Sequence, residues 1–448
     1  MQKQDQNLGT APLGKLMFRL AIPAVAAQII NVLYNIVDRI YIGHIPGYGQ
    51  LALTGVGVCA PILMMISAFS AFAGMGGAPL ASIQMGKKNM EKAEKILGSS
   101  VAMLLVCSIV LTVVFYIFKN PILIAFGASE QTIVYAEQYI SIYLIGTIFV
   151  QFALGLNTYI SAQGNAKVAM ISVLIGAVIN IILDPVFIFL FHMGVRGAAL
   201  ATILSQAVSA AWVVRFLISE KSLLRIRKAN VRLDKKIVGK IAALGVSPFI
   251  MQSTESFVMI VLNTGLQKYG GDMYVGTMSI MSSVMQLIVV PVQGVASGVQ
   301  PIMSYNYGAG NIDRVKGVFK RMITVCLAAT LMIGGAAVMV PEVFAGLFSN
   351  NQELVALTSQ YMPIYFLGIT IFGIQMGCQT TFMALGQAKV SMFIALLRKV
   401  ILLIPLAIIF PMIMGVKGIY IAEPTADIIS VTVTAILFVR TARKVLVK

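Results

Sequence analysis

Long apolar runs recur from one end of this chain to the other, and nothing else in it limits the fold so severely. A helix that crosses a bilayer needs about 20 predominantly apolar residues. Runs of that order lie near 16–41, 51–82, 96–118, 132–160, 168–191, 197–218, 238–266, 274–304, 318–346, 355–383, 391–414 and 418–440. Hydrophobic residues make up 58% of the 448 and charged residues only 11%, against roughly 25% charged in a soluble domain. Mean hydropathy is +0.90. Too little charge is available to cover a water-facing surface, so the lipid bilayer must be the solvent. The expectation is an all-α membrane protein of about twelve transmembrane helices. The runs at 51–82 and 274–304 are long enough to tilt or to extend past the membrane. The first run is too long for a signal-peptide core and carries Asn31, Asn35 and Asp38. It is expected to remain as span 1, with no cleaved leader.

The net charge of +17 is informative through its placement. Lys3, Lys15 and Arg19 precede span 1, and Lys87, Lys88, Lys92 and Lys95 lie in the 2–3 loop. Lys167 follows span 4, and a basic stretch from Arg215 to Lys240 joins spans 6 and 7. Arg314, Lys316, Lys320 and Arg321 fall in the 8–9 loop, and Lys389, Arg398 and Lys399 are assigned to the 10–11 region. Arg440, Arg443, Lys444 and Lys448 end the chain. Of the 33 basic residues, only Arg39, Lys119, Arg196, Lys268 and Lys417 fall on the opposite side. This bias predicts two cytoplasmic termini and a multi-pass protein of the cell membrane. The basic balance is thus a topology signal, and no nucleic-acid partner is expected. Cys59, Cys107, Cys326 and Cys378 stand singly in apolar runs with no metal-ligand spacing, so no metal site is expected. No phosphate loop or nucleophile motif appears, so an ATP-driven pump or an enzyme lacks its parts. No cofactor is expected.

The chain also repeats itself. At a shift of 222, Pro79, Gly86 and Asn89 fall on Pro301, Gly308 and Asn311. Gln138, Tyr139, Tyr143 and Gly146 fall on Gln360, Tyr361, Tyr365 and Gly368, and Gly164, Ala166 and Lys167 on Gly386, Ala388 and Lys389. At 221, Gly194-Val195-Arg196-Gly197 matches Gly415-Val416-Lys417-Gly418. The reading is two pseudo-symmetric six-helix bundles, 1–218 and 237–448, joined by a basic cytoplasmic linker at 219–236. An even number of spans per half places the pseudo-two-fold axis along the membrane normal, with a site between the halves.

Of the 16 acids, five fall inside apolar runs: Asp38, Asp184, Glu255, Glu423 and Asp427. A carboxylate at mid-membrane costs at least about 2.5 kcal/mol, so each needs a reason. Gln28, Asn31, Asn35 and Asp38 step by three and four, forming one polar stripe on span 1 that should face the protein interior. Pro23 permits a bend there. On span 5, Asn180 and Asp184 share a face and Pro185 follows. Thr202 on span 6 adds a hydroxyl. These oxygens could hold a small hard cation, or two close carboxylates could share a proton. Hydrogen-bonded glue between helices stays open as the plainer role. The second half does not copy this set. Asn263 stands where Asp38 would be, and Leu402 and Leu406 where Asn180 and Asp184 would be. Its acids are Glu255, three residues after Gln252 on span 7, and Glu423 with Asp427 on one face of span 12. These four residues are the candidate contributors to a cationic substrate site.

Several motifs resemble the multidrug and toxic compound extrusion (MATE) transporters over nearly the whole chain. They are Ala21-Ile22-Pro23 with Asn35-Ile36-Val37-Asp38 and Gly43, then Gln163-Gly164-Asn165-Ala166. Asn180-Ile181-Ile182-Leu183-Asp184-Pro185 follows, and Gly194-Val195-Arg196-Gly197-Ala198-Ala199 leads to Ala201-Thr202. The resemblance implies two six-helix bundles around a V-shaped cavity and drug export driven by inward H⁺ or Na⁺. Asp38, Asn180, Asp184 and Thr202 resemble the family's N-lobe cation site, with Tyr139 and Asn157 nearby. Glu255 is similar to a span 7 acid of one branch. The span 10 acid of that branch has no counterpart in Gly373-Ile374-Gln375-Met376-Gly377. The expected protein is a monomeric secondary antiporter, contributing to antibiotic resistance. It would export organic cations and amphipathic drugs in exchange for H⁺ or Na⁺. The alternatives are a lipid-linked oligosaccharide flippase, which should carry a basic cavity, and a membrane-embedded transferase or hydrolase.

Overall fold

The computed structural model describes residues 8–445; Lys3 and Lys448, counted above toward topology, lie outside them. Among the described residues there are twelve apolar spans and no strand. They are α1 (Leu13–Gly43), α2 (Gly49–Gly86), α3 (Met90–Ala125), α4 (Ile133–Ile145 with Thr147–Ala162), α5 (Ala166–Leu190) and α6 (Val195–Ile218). The second half repeats them as α7 (Lys235–Tyr269), α8 (Asp272–Gly308), α9 (Ile312–Met339), α10 (Gln352–Tyr365 with Ile369–Ala384), α11 (Ala388–Met414) and α12 (Val416–Val445). Most outward-facing side chains are apolar, Ile117, Phe118, Met339 and Ile413 among them. Only a hydrocarbon solvent tolerates such a surface over so many spans.

Polar side chains start several of the helices. Asn89 accepts from the Lys92 amide at 3.1 Å, and Asn351 caps α10 through the Glu353 and Leu354 amides. Asp234 caps α7 through the amides of Lys236 and Ile237, satisfying donors that would otherwise be orphaned at the helix start.

The helices break where the repeat predicts equivalence. α4 bends by 62° and α10 by 50°, at Gly146 and around Gly368. A methyl group on Gly146 would stand 2.4 Å from the Ile203 side chain, and one on Gly368 2.7 Å from the Asp427 Cβ. Glycine at these two positions is what lets α6 and α12 come against the bends. Irregularity of a second kind marks α5 and α11. Pro185 leads into a π-helical turn at Val186–Leu190, and α11 carries one at Leu397–Leu403. The turn that follows each of these helices requires a left-handed residue, supplied by Gly194 (φ 55°) and Gly415 (φ 61°).

The two bundles exchange their first turns. Leu16, Met17 and Leu20 of α1 belong to the C-terminal core, while Ile241 of α7 belongs to the N-terminal core. Ahead of α1, the Leu8 carbonyl accepts from Asn306 and Arg314, and Arg314 also donates to Ala11 O at 2.8 Å. Ahead of α7, the Gln163 side-chain oxygen accepts from the Leu223 and Leu224 amides, and Arg227 pairs with Glu94 at 2.6 Å. Between the lobes α1 packs on α8 and α7 on α2. Added methyl groups on Gly245, Gly86 and Gly308 would each fall about 2 Å from Phe72 O, Tyr305 O and Ile83 O. The lobes are therefore sealed backbone to backbone at the end that holds the 2–3 and 8–9 loops.

Candidate functional site

Two groups of charged side chains lie inside the bundles, one per lobe, all buried except the half-accessible Glu255. In the N-lobe, Asp38 on α1 and Asp184 on α5 meet carboxyl to carboxyl, within hydrogen-bonding reach. Asp184 is fully buried and Asp38 nearly so. Asn180, one turn before Asp184, donates to its Oδ1 at 3.2 Å and lies 3.5 Å from the Thr202 hydroxyl. That hydroxyl donates to Ala198 O at 3.0 Å. The Tyr139 hydroxyl also reaches Thr202, its ring stacked on Tyr143 at 6.0 Å. The structure thus gathers Asp38, Asn180, Asp184, Thr202 and Tyr139 at one place. Asn157 is not gathered with them. Its amide donates to Ala169 O at 3.1 Å, about three helical turns from Asn180.

This N-lobe group is short of donors. Asp38 Oδ1, Asp184 Oδ2 and Asn180 Oδ1 are buried and accept no donated hydrogen bond. No Lys or Arg forms an ion pair with either carboxylate among the described residues. Leaving buried acceptors unmet is costly. A proton between the two carboxyl groups would turn their repulsion into a hydrogen bond. An oxygen-only donor set also suits a hard cation. Nearby, Asn31, Tyr34, Gly176, Ser205, Gln206 and Ser209 border a cavity of about 20 Å³, room for about one water molecule.

The C-lobe differs in kind. Lys399 Nζ lies 2.8 Å from Glu255 Oε2. Arg398 reaches Asp427 at 2.6 Å and Glu423 at 3.0 Å, and its guanidinium sits over Phe372, 4.5 Å from the ring centre. Beside them the Ser430 hydroxyl donates to Gln375 at 2.8 Å. Gln252 takes no part in these ion pairs.

Two sequence expectations are corrected here. Glu423 and Asp427 do not stand free for a ligand's charge, because Arg398 is paired with both. Arg398 and Lys399 are not loop residues of a 10–11 connection; both are buried in the middle of α11. Successive residues of an α-helix point about 100° apart, but these two sit in its π-helical turn, where the wider winding lets both reach the lobe interior. The sequence held the signal, an Arg-Lys pair inside the apolar run 391–414 that a membrane span tolerates only beside counter-charges. These two buried bases bear on the flippase alternative, which calls for a basic cavity. The C-lobe interior is still not basic, since three acids face two bases.

A protein-family model, MatE, matches residues 23–186 and 248–409, the corresponding stretch of each half. The multidrug export protein MepA of Staphylococcus aureus is 24% identical over 416 residues, covering 91% of this chain and 90% of its own length. A crystal structure of MATE in the bent conformation superposes with a TM-score of 0.92 at 22% identity, covering 99% of this chain and 98% of that one. A MOP superfamily transporter from Pyrococcus furiosus Vc1, described by a reversed polarity of its binding pocket that suggests a different function, gives 0.91 at 21% identity over the full length of both chains. These two structures establish likeness of fold.

Proposed function

Because the chain belongs to the MatE family of multidrug and toxic compound extrusion transporters, we propose that it is a secondary antiporter exporting organic cations and amphipathic drugs in exchange for H⁺. It is a multi-pass membrane protein and a transporter, not an enzyme. In this reading Asp38, Asp184, Asn180 and Thr202 form the coupling-ion site, with Tyr139 beside them. The observation that carries it is the meeting of Asp38 and Asp184 with no Lys or Arg in an ion pair to either among the described residues, which leaves two buried carboxylates to be compensated by a mobile cation. Two carboxyl groups in contact need only one proton to become neighbours, whereas Na⁺ requires several more fixed oxygens. H⁺ is therefore favoured over Na⁺.

The cycle follows from unequal binding. A ligand shifts a two-state equilibrium only if it binds the states differently. H⁺ from outside binds the N-lobe pair, α1 and α5 repack at Pro23 and Pro185, and the cationic drug loses affinity on the outer side. Loss of H⁺ to the cytoplasm resets the lobes. Both termini in the cytoplasm and a monomer in the cell membrane complete the reading. MepA, a multidrug export protein, supports the drug-export part. The test uses everted vesicles carrying the protein. An imposed proton gradient should drive ethidium accumulation, and a sodium gradient at matched pH should not. Accumulation driven only by sodium would replace H⁺ with Na⁺, and accumulation under neither gradient would overturn the antiport reading.

A further inference from the structure

The two ion pairs of the C-lobe are built differently. Around Arg398 everything is closed: the side chains of Arg398, Glu423 and Asp427 are 11%, 5% and 1% accessible. The other pair is lopsided. Lys399 is 7% accessible, while Glu255 is 47% accessible. An ammonium is therefore tucked behind a carboxylate that is open on its far side. The cluster is also one positive charge short, with Glu255, Glu423 and Asp427 facing Arg398 and Lys399. Asp427 Oδ2 is buried without a hydrogen-bond partner.

We propose that Lys399 is a tethered competitor for the cation site at Glu255, so that a singly charged organic cation binds by displacing the Lys399 ammonium and thereby completes the charge balance of the cluster. This rests on the cation-export reading and adds to it the residue that sets affinity and selectivity. Lysine suits the task, having a flexible four-carbon stem and a compact head, whereas the forked Arg398 is fixed by two acids and a ring. The displaced ammonium has somewhere to go. Glu423 belongs to the same cluster, held by Arg398 at 3.0 Å, so the ammonium can move toward that carboxylate while Arg398 stays on Asp427. A neutral compound gains nothing from the exchange, because Coulomb attraction needs the second charge. A strongly hydrated cation would lose more on leaving water than a bulky, charge-delocalised one.

The test is equilibrium binding to purified full-length protein, with ethidium as the cationic probe and an uncharged dye beside it. Lys399→Met keeps the apolar stem and removes the competitor. Ethidium affinity should rise by about tenfold or more, with the uncharged dye unchanged. Lys399→Arg, which retains the charge, should keep affinity at or below that of the wild type. Adding Glu255→Gln to Lys399→Met should abolish the gain. Binding of the uncharged dye reports folding of each variant, and Lys399→Gln carries the same expectation should Lys399→Met fail that check. Ethidium affinity unchanged or reduced in these neutral variants overturns the proposal. Binding needs no gradient, so this result stands or falls separately from the vesicle experiment.

Discussion

The N-lobe and the C-lobe share a scaffold and place buried acids in their interiors, yet they neutralise those acids in opposite ways. Asp38 and Asp184 face each other with amide and hydroxyl neighbours and, among the described residues, no base in an ion pair. Glu255, Glu423 and Asp427 are held by Lys399 and Arg398 of the protein itself. A fixed cation makes a lobe stable in one charge state. The absence of one makes a lobe depend on a cation that comes and goes. On the proposed reading, the internal duplication yields one lobe that exchanges its charge with the medium, and one that is internally balanced except for a single negative charge.

The comparison breaks most visibly at Asp184. Asp184→Asn should reduce gradient-driven efflux to less than about a tenth of wild type, since coupling needs an ion that binds the two states unequally. The protein should insert and fold normally, because an amide can donate to Asp38. Efflux near wild type in well-expressed cells would remove the N-lobe assignment. The C-lobe should show the reverse order of damage. Arg398→Met strands Glu423 and Asp427 as buried charges, and should cost about 3–5 kcal/mol of stability, read as a lowered unfolding temperature in detergent. Unchanged stability there would mean that the acids are not ionised against Arg398. The smallest effect is expected at Thr202→Ala. Its hydroxyl is a 3.5 Å neighbour of Asn180, worth about 0.5–1.5 kcal/mol, so efflux should fall about two- to tenfold. A loss exceeding that of Asp184→Asn would contradict a shared site centred on the carboxylates.

Much of this was legible in the residues. Twelve apolar runs anticipated twelve spans, and the shift of 222 pairs Gly146 with Gly368, the two places where the structure shows matched bends that the repeat itself did not predict. The step of four from Asn180 to Asp184 and the place of Asp38 on the polar stripe of α1 identified residues that meet, but the stripe is not buried throughout: Asn35 is exposed and donates back to Asn31 O. Periodicity reports which face of a helix is polar, but not which helix lies opposite. For that reason the sequence pairs Glu423 with Asp427 but does not bring Arg398, their partner on α11, to them. Counting basic residues by side treats each as a helix-end anchor, which fails for a base buried against acids. Asn157 was placed by resemblance, and its amide turned instead to the α5 backbone at Ala169. The exchange of first turns between lobes left no trace in hydropathy, because Leu16 and Ile241 are equally apolar whichever core receives them.

The division of labour between the lobes is tested most directly by efflux of one cationic and one uncharged substrate, side by side, from vesicles carrying Asp38→Asn or Glu255→Gln. Loss of the N-lobe acid should abolish gradient-driven transport of both substrates. Loss of the C-lobe acid should weaken transport of the cation and leave the uncharged compound close to wild type. Equal loss of both substrates in Glu255→Gln, or sustained transport in Asp38→Asn, would contradict the account.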